Sequence, residues 1–171
     1  MVKYEILWNP WRYEYLKTAG RKTGKCILCE LVKNSDEESY IIYRGRYSYI
    51  ALNAYPYNTG HLMIIPYKHV PSLENLERDE LMELMELIIK SMRVLREAFN
   101  PDGFNIGLNI GRAAGAGIDD HVHIHVVPRW IGDTNFLAVI GSTKNLPLML
   151  HETYQLLKNT WIKIYGERSD K

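Results

Sequence analysis

Five consecutive residues, His121-Val122-His123-Ile124-His125, constrain this chain more than any other stretch. Three imidazoles alternate with β-branched apolar side chains, and Val126 and Val127 extend the run. Side chains on a strand alternate between faces, so positions i, i+2 and i+4 point together. A helix would put only the outer pair on one face. The pattern predicts a strand over Val122–Val127, with Val122, Ile124 and Val126 on a core. The three histidines then share the other face, directed at whatever they act on.

The rest of the composition narrows the class. At 171 residues the chain is long enough for one domain with a full hydrophobic core. A net charge of +1, from 21 basic and 20 acidic residues, argues against a generic nucleic-acid surface. No apolar run approaches the length of a membrane span. The N-terminus, MVKYEILWNPWRYEYL, is broken by charges and a proline and does not read as a secretory signal. Cys26 and Cys29 are too few and too close for a disulfide scaffold, so a soluble cytoplasmic protein is expected.

The chain has no repeats or linker-like tracts. Residues 8–18 form an aromatic segment around Pro10 that is expected to pack on the body. Five strands are predicted: Tyr40–Arg44 and Tyr47–Asn53 around a tight turn at Gly45, His61–Pro66, Phe104–Ile110 and Val122–Val127. Between the third and fourth lies an amphipathic helix, Arg78–Phe99. Its apolar stripe is Leu81, Leu84, Met85, Ile88, Met92, Leu95 and Phe99, and Asn100-Pro101-Asp102-Gly103 stops it. A second helix is expected over Pro147–Tyr165. The result is an α+β domain with a mostly antiparallel sheet of about five strands and helices on one side. A single domain over 1–171 is expected, divided into an N-terminal segment (1–30), a core (40–140) and a C-terminal helix (147–165).

Just before the histidines, three glycines and three alanines crowd residues 111–117. Missing side chains let backbone N–H groups approach an anion, as phosphate-binding nests do. No Walker or Rossmann pattern is present. Loop amides running into neutral imidazoles make a plausible phosphoryl-transfer site. Cys26-Ile27-Leu28-Cys29, taken alone, is open to redox, metal-binding or coincidental readings, although no βαβ pattern surrounds it to favour a thioredoxin-like one.

These residues resemble the histidine triad (HIT) superfamily of nucleotide hydrolases and transferases, whose pattern is H-φ-H-φ-H-φ-φ. Asn53-Ala54-Tyr55-Pro56-Tyr57-Asn58-Thr59-Gly60-His61 through Pro66-Tyr67-Lys68-His69 is similar to the family's N-x-x-P-x-x-x-G-H-φ-φ-φ-x-P-x-x-H segment. Asn109-x-Gly111 and Gly115-Ala116-Gly117 resemble its phosphate loop. Leu7-Trp8-Asn9-Pro10-Trp11-Arg12 and Pro128-Arg129-Trp130-Ile131-Gly132-Asp133-Thr134-Asn135-Phe136 are similar to the diadenosine tetraphosphate phosphorylase-like branch.

The resemblance implies a HIT-like fold and a covalent nucleotidyl-histidine mechanism. His123 is implied as nucleophile, with His125 and His121 as its catalytic neighbours. Gly115, Ala116 and Gly117 are implied to bind phosphoryl oxygens, Asn109 the same group or the acceptor, and Asn53 the ribose hydroxyls. His61 is implied as a hydrogen-bonding residue near the triad. Ile42, Ile50 and Leu52 are candidate walls for the base. In the zinc-binding members a similar CxxC joins two histidines, here His69 and His121, which implies a closed structural zinc site with Cys26 and Cys29. No organic cofactor is expected. The substrate implied is an adenine dinucleoside polyphosphate with inorganic phosphate as acceptor, and the assembly a homodimer or higher homo-oligomer. Hydrolysis of dinucleoside polyphosphates or nucleoside phosphoramidates is the alternative within the superfamily. Two other classes stand beside it: a metalloenzyme using all three histidines on one ion, and a non-catalytic nucleotide-binding module.

Overall fold

The computed structural model describes residues 25–135, 140 and 146–166. The aromatic segment 8–18, the motif residues 7–12 and Phe136 lie outside them. The elements in order are α1 (Ile27–Leu31), β1 (Ile41–Arg44), β2 (Ser48–Leu52), β3 (Leu62–Pro66), α2 (Arg78–Phe99), β4 (Gly103–Leu108), β5 (Ile124–Arg129) and α3 (Leu150–Tyr165). The strands form one antiparallel sheet in the order β1-β2-β3-β5-β4. This is the expected α+β arrangement.

Both long helices pack on one sheet face over Ile50, Leu52, Ile64, Val122, Ile124 and Val126. Leu28 of α1 sits on the opposite face with Ile41, Tyr49, Ala51, Met63 and Ile65. The central strands therefore bury both faces, and every residue of β2 and β3 is buried.

The long helix occupies the predicted span. Glu80 accepts a hydrogen bond from the Glu77 N–H at its start, and Asn100 ends it in the left-handed region at φ 46°. Its buried face differs from the predicted stripe. Leu84, Leu87, Ile88, Ser91, Val94 and Leu95 are buried, whereas Leu81 and Met85 are 37 % and 56 % exposed. The helix packs against α3 as well as the sheet, and that double contact rotates the buried face.

The β1–β2 hairpin turn is held by this helix. Glu83 accepts hydrogen bonds from the N–H groups of Arg46 (2.7 Å) and Tyr47 (2.6 Å). Gly45 is required there, because a Cβ would lie 2.6 Å from Glu83 Oε1 and 2.8 Å from the Ser48 carbonyl.

Candidate active site and metal-ligand cluster

The strand carrying the histidines starts later than the alternation predicts, at Ile124 rather than Val122. The Val122 N–H donates to the Val70 carbonyl (2.7 Å), outside the sheet ladder. Alternation still holds through the segment: Val122, Ile124 and Val126 enter the helix-side core. His121 and His123 are buried at 1 % and 7 % exposure, and His125 is half-buried.

The three imidazoles do different work. His121 Nδ1 lies 3.3 Å from Cys26 Sγ and 3.5 Å from Cys29 Sγ, while its Nε2–H donates to the Pro66 carbonyl at 2.9 Å. His123 Nδ1–H donates to the His121 carbonyl at 2.9 Å. That leaves His123 Nε2 with its lone pair available. His125 Nδ1 pairs with His61 Nε2 at 2.9 Å. Three imidazoles with these separate partners do not converge on one ion, which removes the single-metal alternative.

Tautomers along the last pair follow from a backbone group. The Tyr57 N–H, which can only donate, points at His61 Nδ1 (3.1 Å), and the Asn53 amide lies 3.3 Å from the same nitrogen. His61 Nδ1 is thus an acceptor, and its proton sits on Nε2. That proton is donated to His125 Nδ1, so His125 carries its own on Nε2. His125 therefore offers an N–H donor beside a His123 lone pair, with ring centroids 4.8 Å apart.

Burial keeps the whole set neutral. It pushes His61 down to about 3, with His125 and His123 adding to the effect. It pushes His125 down to about 4, aided by His123. His123 is lowered by burial, against the hydrogen bond to the His121 carbonyl. His121 is lowered by burial too. A neutral imidazole with a free lone pair next to a neutral N–H donor suits attack on a phosphoryl group.

Cys26, Cys29, His69 and His121 place one ligand atom each within 4.8 Å of one another. The remaining contact is Cys29 Sγ to His69 Nδ1 at 3.4 Å, and the Asp120 carboxylate lies 3.8 Å from His69 Nε2. Burial and then the adjacent Cys26 raise the Cys29 thiol to about 11. Two thiolates so close need a cation between them, and a bound divalent ion would deprotonate both. Two sulfurs and two imidazoles form a closed tetrahedral donor set of the structural type, and the Pro66 carbonyl fixes which nitrogen of His121 faces it. The residues fit a zinc ion.

The expected base wall is displaced. Ile42, Ile50 and Leu52 are 1 %, 0 % and 3 % exposed and belong to the core under the helices, so they cannot wall a base. Strand alternation put them on the face opposite the histidines. The same-face row, read through the register, runs Gly107, His125, Met63, Ala51 and Ile41. The implied ribose ligand Asn53 is engaged internally, its Oδ1 accepting from the Tyr55 N–H (2.9 Å) and its amide facing His61.

Asn109 follows β4, two residues beyond the Gly107 that pairs with His125. After it Arg112–Ala114 make one 3₁₀ turn between Gly111 (φ 76°) and Gly115 (φ 87°), and Gly115 and Gly117 are exposed. Sequence reading missed the backbone partners, the Pro66 carbonyl and the Tyr57 N–H, because any residue supplies them. It also missed the clamp from Asp133 to Arg129 (2.6 and 2.8 Å) and to the Asn58 amide (2.8 Å), which ties the Asn53–His61 segment to the end of β5.

An antiparallel sheet that sets an imidazole with a free lone pair beside an N–H imidazole, on a strand carrying three alternating histidines, has the layout of a histidine-triad site. The HIT domain family model matches residues 34–130, and the chain belongs to that family. The AP-4-A phosphorylase of Mycobacterium tuberculosis (strain CDC 1551 / Oshkosh) is 43 % identical over 164 residues, covering 92 % of this chain and 84 % of the relative. An asymmetrical bis(5'-nucleosyl)-tetraphosphatase of Schizosaccharomyces pombe is 35 % identical over 91 residues, 53 % of this chain and 50 % of that protein. Among solved structures, a Zn-bound histidine triad family protein from Mycobacterium smegmatis superposes with a TM-score of 0.67 at 26 % identity, covering 82 % of this chain and 96 % of that one.

Proposed function

We propose that this protein is a nucleotidyltransferase that phosphorolyses diadenosine tetraphosphate to ADP and ATP. The 43 % identity to an AP-4-A phosphorylase across nearly the whole chain supports the substrate. The observation that carries the chemistry is His123, held by the His121 carbonyl with Nε2 free beside the His125 donor. His123 Nε2 attacks the α-phosphorus. The N–P bond forms as the bridging P–O bond breaks, and ATP departs with the electron pair. His125 Nε2–H meets the charge on the phosphoryl oxygens, helped by amides of Gly115, Ala116 and Gly117. Inorganic phosphate, positioned by Asn109, then attacks the adenylyl-histidine and releases ADP. Asn53, whose amide faces His61, acts on the nucleotide's ribose only if that contact opens.

Cys26, Cys29, His69 and His121 would hold a structural zinc, which supplies rigidity and no reacting atom. Its anchor reaches the nucleophile through one residue, since His121 offers its ring to the cluster and its carbonyl to His123. We read the protein as cytoplasmic, and as a homodimer or higher homo-oligomer by its family resemblance. Among the described residues no helix is long and apolar enough to cross a membrane.

The decisive experiment incubates the protein with diadenosine tetraphosphate, with and without inorganic phosphate, and identifies products. Phosphate-dependent ADP plus ATP is expected. AMP plus ATP, or two ADP, formed at a rate independent of phosphate would replace phosphorolysis with hydrolysis.

A further inference from the structure

Tyr57 stands apart from the other groups around the triad. Its ring lies against His61 (centroids 4.6 Å apart) and His125 (5.7 Å, interplanar angle 33°), yet the residue is 44 % exposed. Its backbone N–H is committed to His61. Both flanks are fixed. Asn58 is buried with its amide on the Pro128 carbonyl and Asp133, and His61 is fully buried. Gly60, at φ 78°, lets the segment press on α2, where a Cβ would meet Phe99 at 2.9 Å. The aromatic ring is thus immobilised with one side on the donor histidine and the other toward solvent. No hydrogen bond from its hydroxyl to a described residue accounts for the exposure.

A single exposed aromatic is ordinary on a protein surface. A rigid one against the imidazole proposed to donate to the phosphoryl oxygens is a preformed stacking surface, and every nucleobase has a π-face to place on it. We infer that Tyr57 is a specificity-determining residue whose outer face stacks the second nucleoside of a dinucleoside polyphosphate. This rests on the proposed substrate class. A mononucleotide with the same phosphate chain lacks that second nucleoside and so gains nothing from this surface. Tyr57 is then what makes the site prefer two nucleosides over one.

The test measures binding by calorimetry in a His123→Asn background, which prevents turnover. The two probes are diadenosine tetraphosphate and adenosine 5′-tetraphosphate. Tyr57→Ala should weaken the dinucleotide about tenfold, the scale of one base–aromatic stack, and the mononucleotide less than twofold. Tyr57→Phe and Tyr57→Trp should keep the wild-type preference. Tyr57→Leu fills the volume without a π-face and should behave as Ala does, which controls for a collapsed loop. Equal losses for both probes, or none for either, would overturn the inference. Turnover of the unmutated protein is scored separately. Absence of products from diadenosine tetraphosphate sinks the proposed reaction, while the binding ratio still decides the role of Tyr57.

Discussion

At the scale of single residues, the site works by assigning protons. His123 Nδ1–H is fixed on the His121 carbonyl and His125 Nε2–H is set through His61, so one imidazole presents a lone pair and its neighbour an N–H donor. His123→Asn removes the attacking lone pair and leaves the donor, the loop and the sheet. Turnover should fall by at least about a thousandfold, with nucleotide affinity within a few-fold of the parent. Rapid-quench assays and calorimetry check the two halves. More than a small fraction of residual kcat would exclude the nucleotidyl-histidine.

The same histidines set an acid limit on stability. His61 and His125 titrate in the folded state at about 3 and about 4, below the ordinary value of 6.5. Between those values and 6.5 the unfolded chain binds more protons than the folded one, so stability rises with pH across that window. It falls as pH drops below 6.5 and levels off below the folded values. At pH 5 the loss from His61 is about 2 kcal/mol, at 1.36 kcal/mol per unit. Denaturant titrations at pH 7 and pH 5 measure it. Equal stability at both would show that these imidazoles are charged in the folded protein.

At the scale of elements, the Asn53–His61 connection is positioned from both ends. Asp133 takes two hydrogen bonds from Arg129 and one from Asn58, and Arg129 holds its carboxyl well below the usual range. Arg129 is half-exposed, so solvent screens part of that pair. Asp133→Ala should cost on the order of 1–2 kcal/mol and loosen the connection that carries Tyr57 and His61. Thermal melts read the first effect, and a kcat loss without loss of fold reads the second. A variant with unchanged Tm and kcat would make the clamp incidental.

At the scale of the whole molecule, the Cys/His cluster joins three distant parts of the chain: α1, the segment after β3 and the approach to β5. The purified protein should contain about one zinc per chain. Cys26→Ser should lose it together with several degrees of Tm, because binding to a folded site is folding free energy. Metal analysis finding none in protein prepared without chelators would reject the site.

The strand alternation that turns Val122, Ile124 and Val126 inward, the span of the long helix with its Asn100 stop, and the chemical identity of the triad were all legible in the residues alone. Each is a local matter of periodicity or side-chain type. Family resemblance also pairs the CxxC with His69 and His121, and the structure gathers those four within ligand distance. Which neighbour each sheet face meets depends on contacts between elements distant in the chain. Ile42, Ile50 and Leu52 are apolar strand residues on any reading, but the side on which the helices dock makes them core. The buried stripe of α2 is spaced at 3 and 4 residues like the predicted one, and its packing against both the sheet and α3 decides which of these overlapping apolar stripes turns inward. The proton on His125 is decided by the Tyr57 N–H through His61, and a backbone N–H carries no residue identity to read in advance.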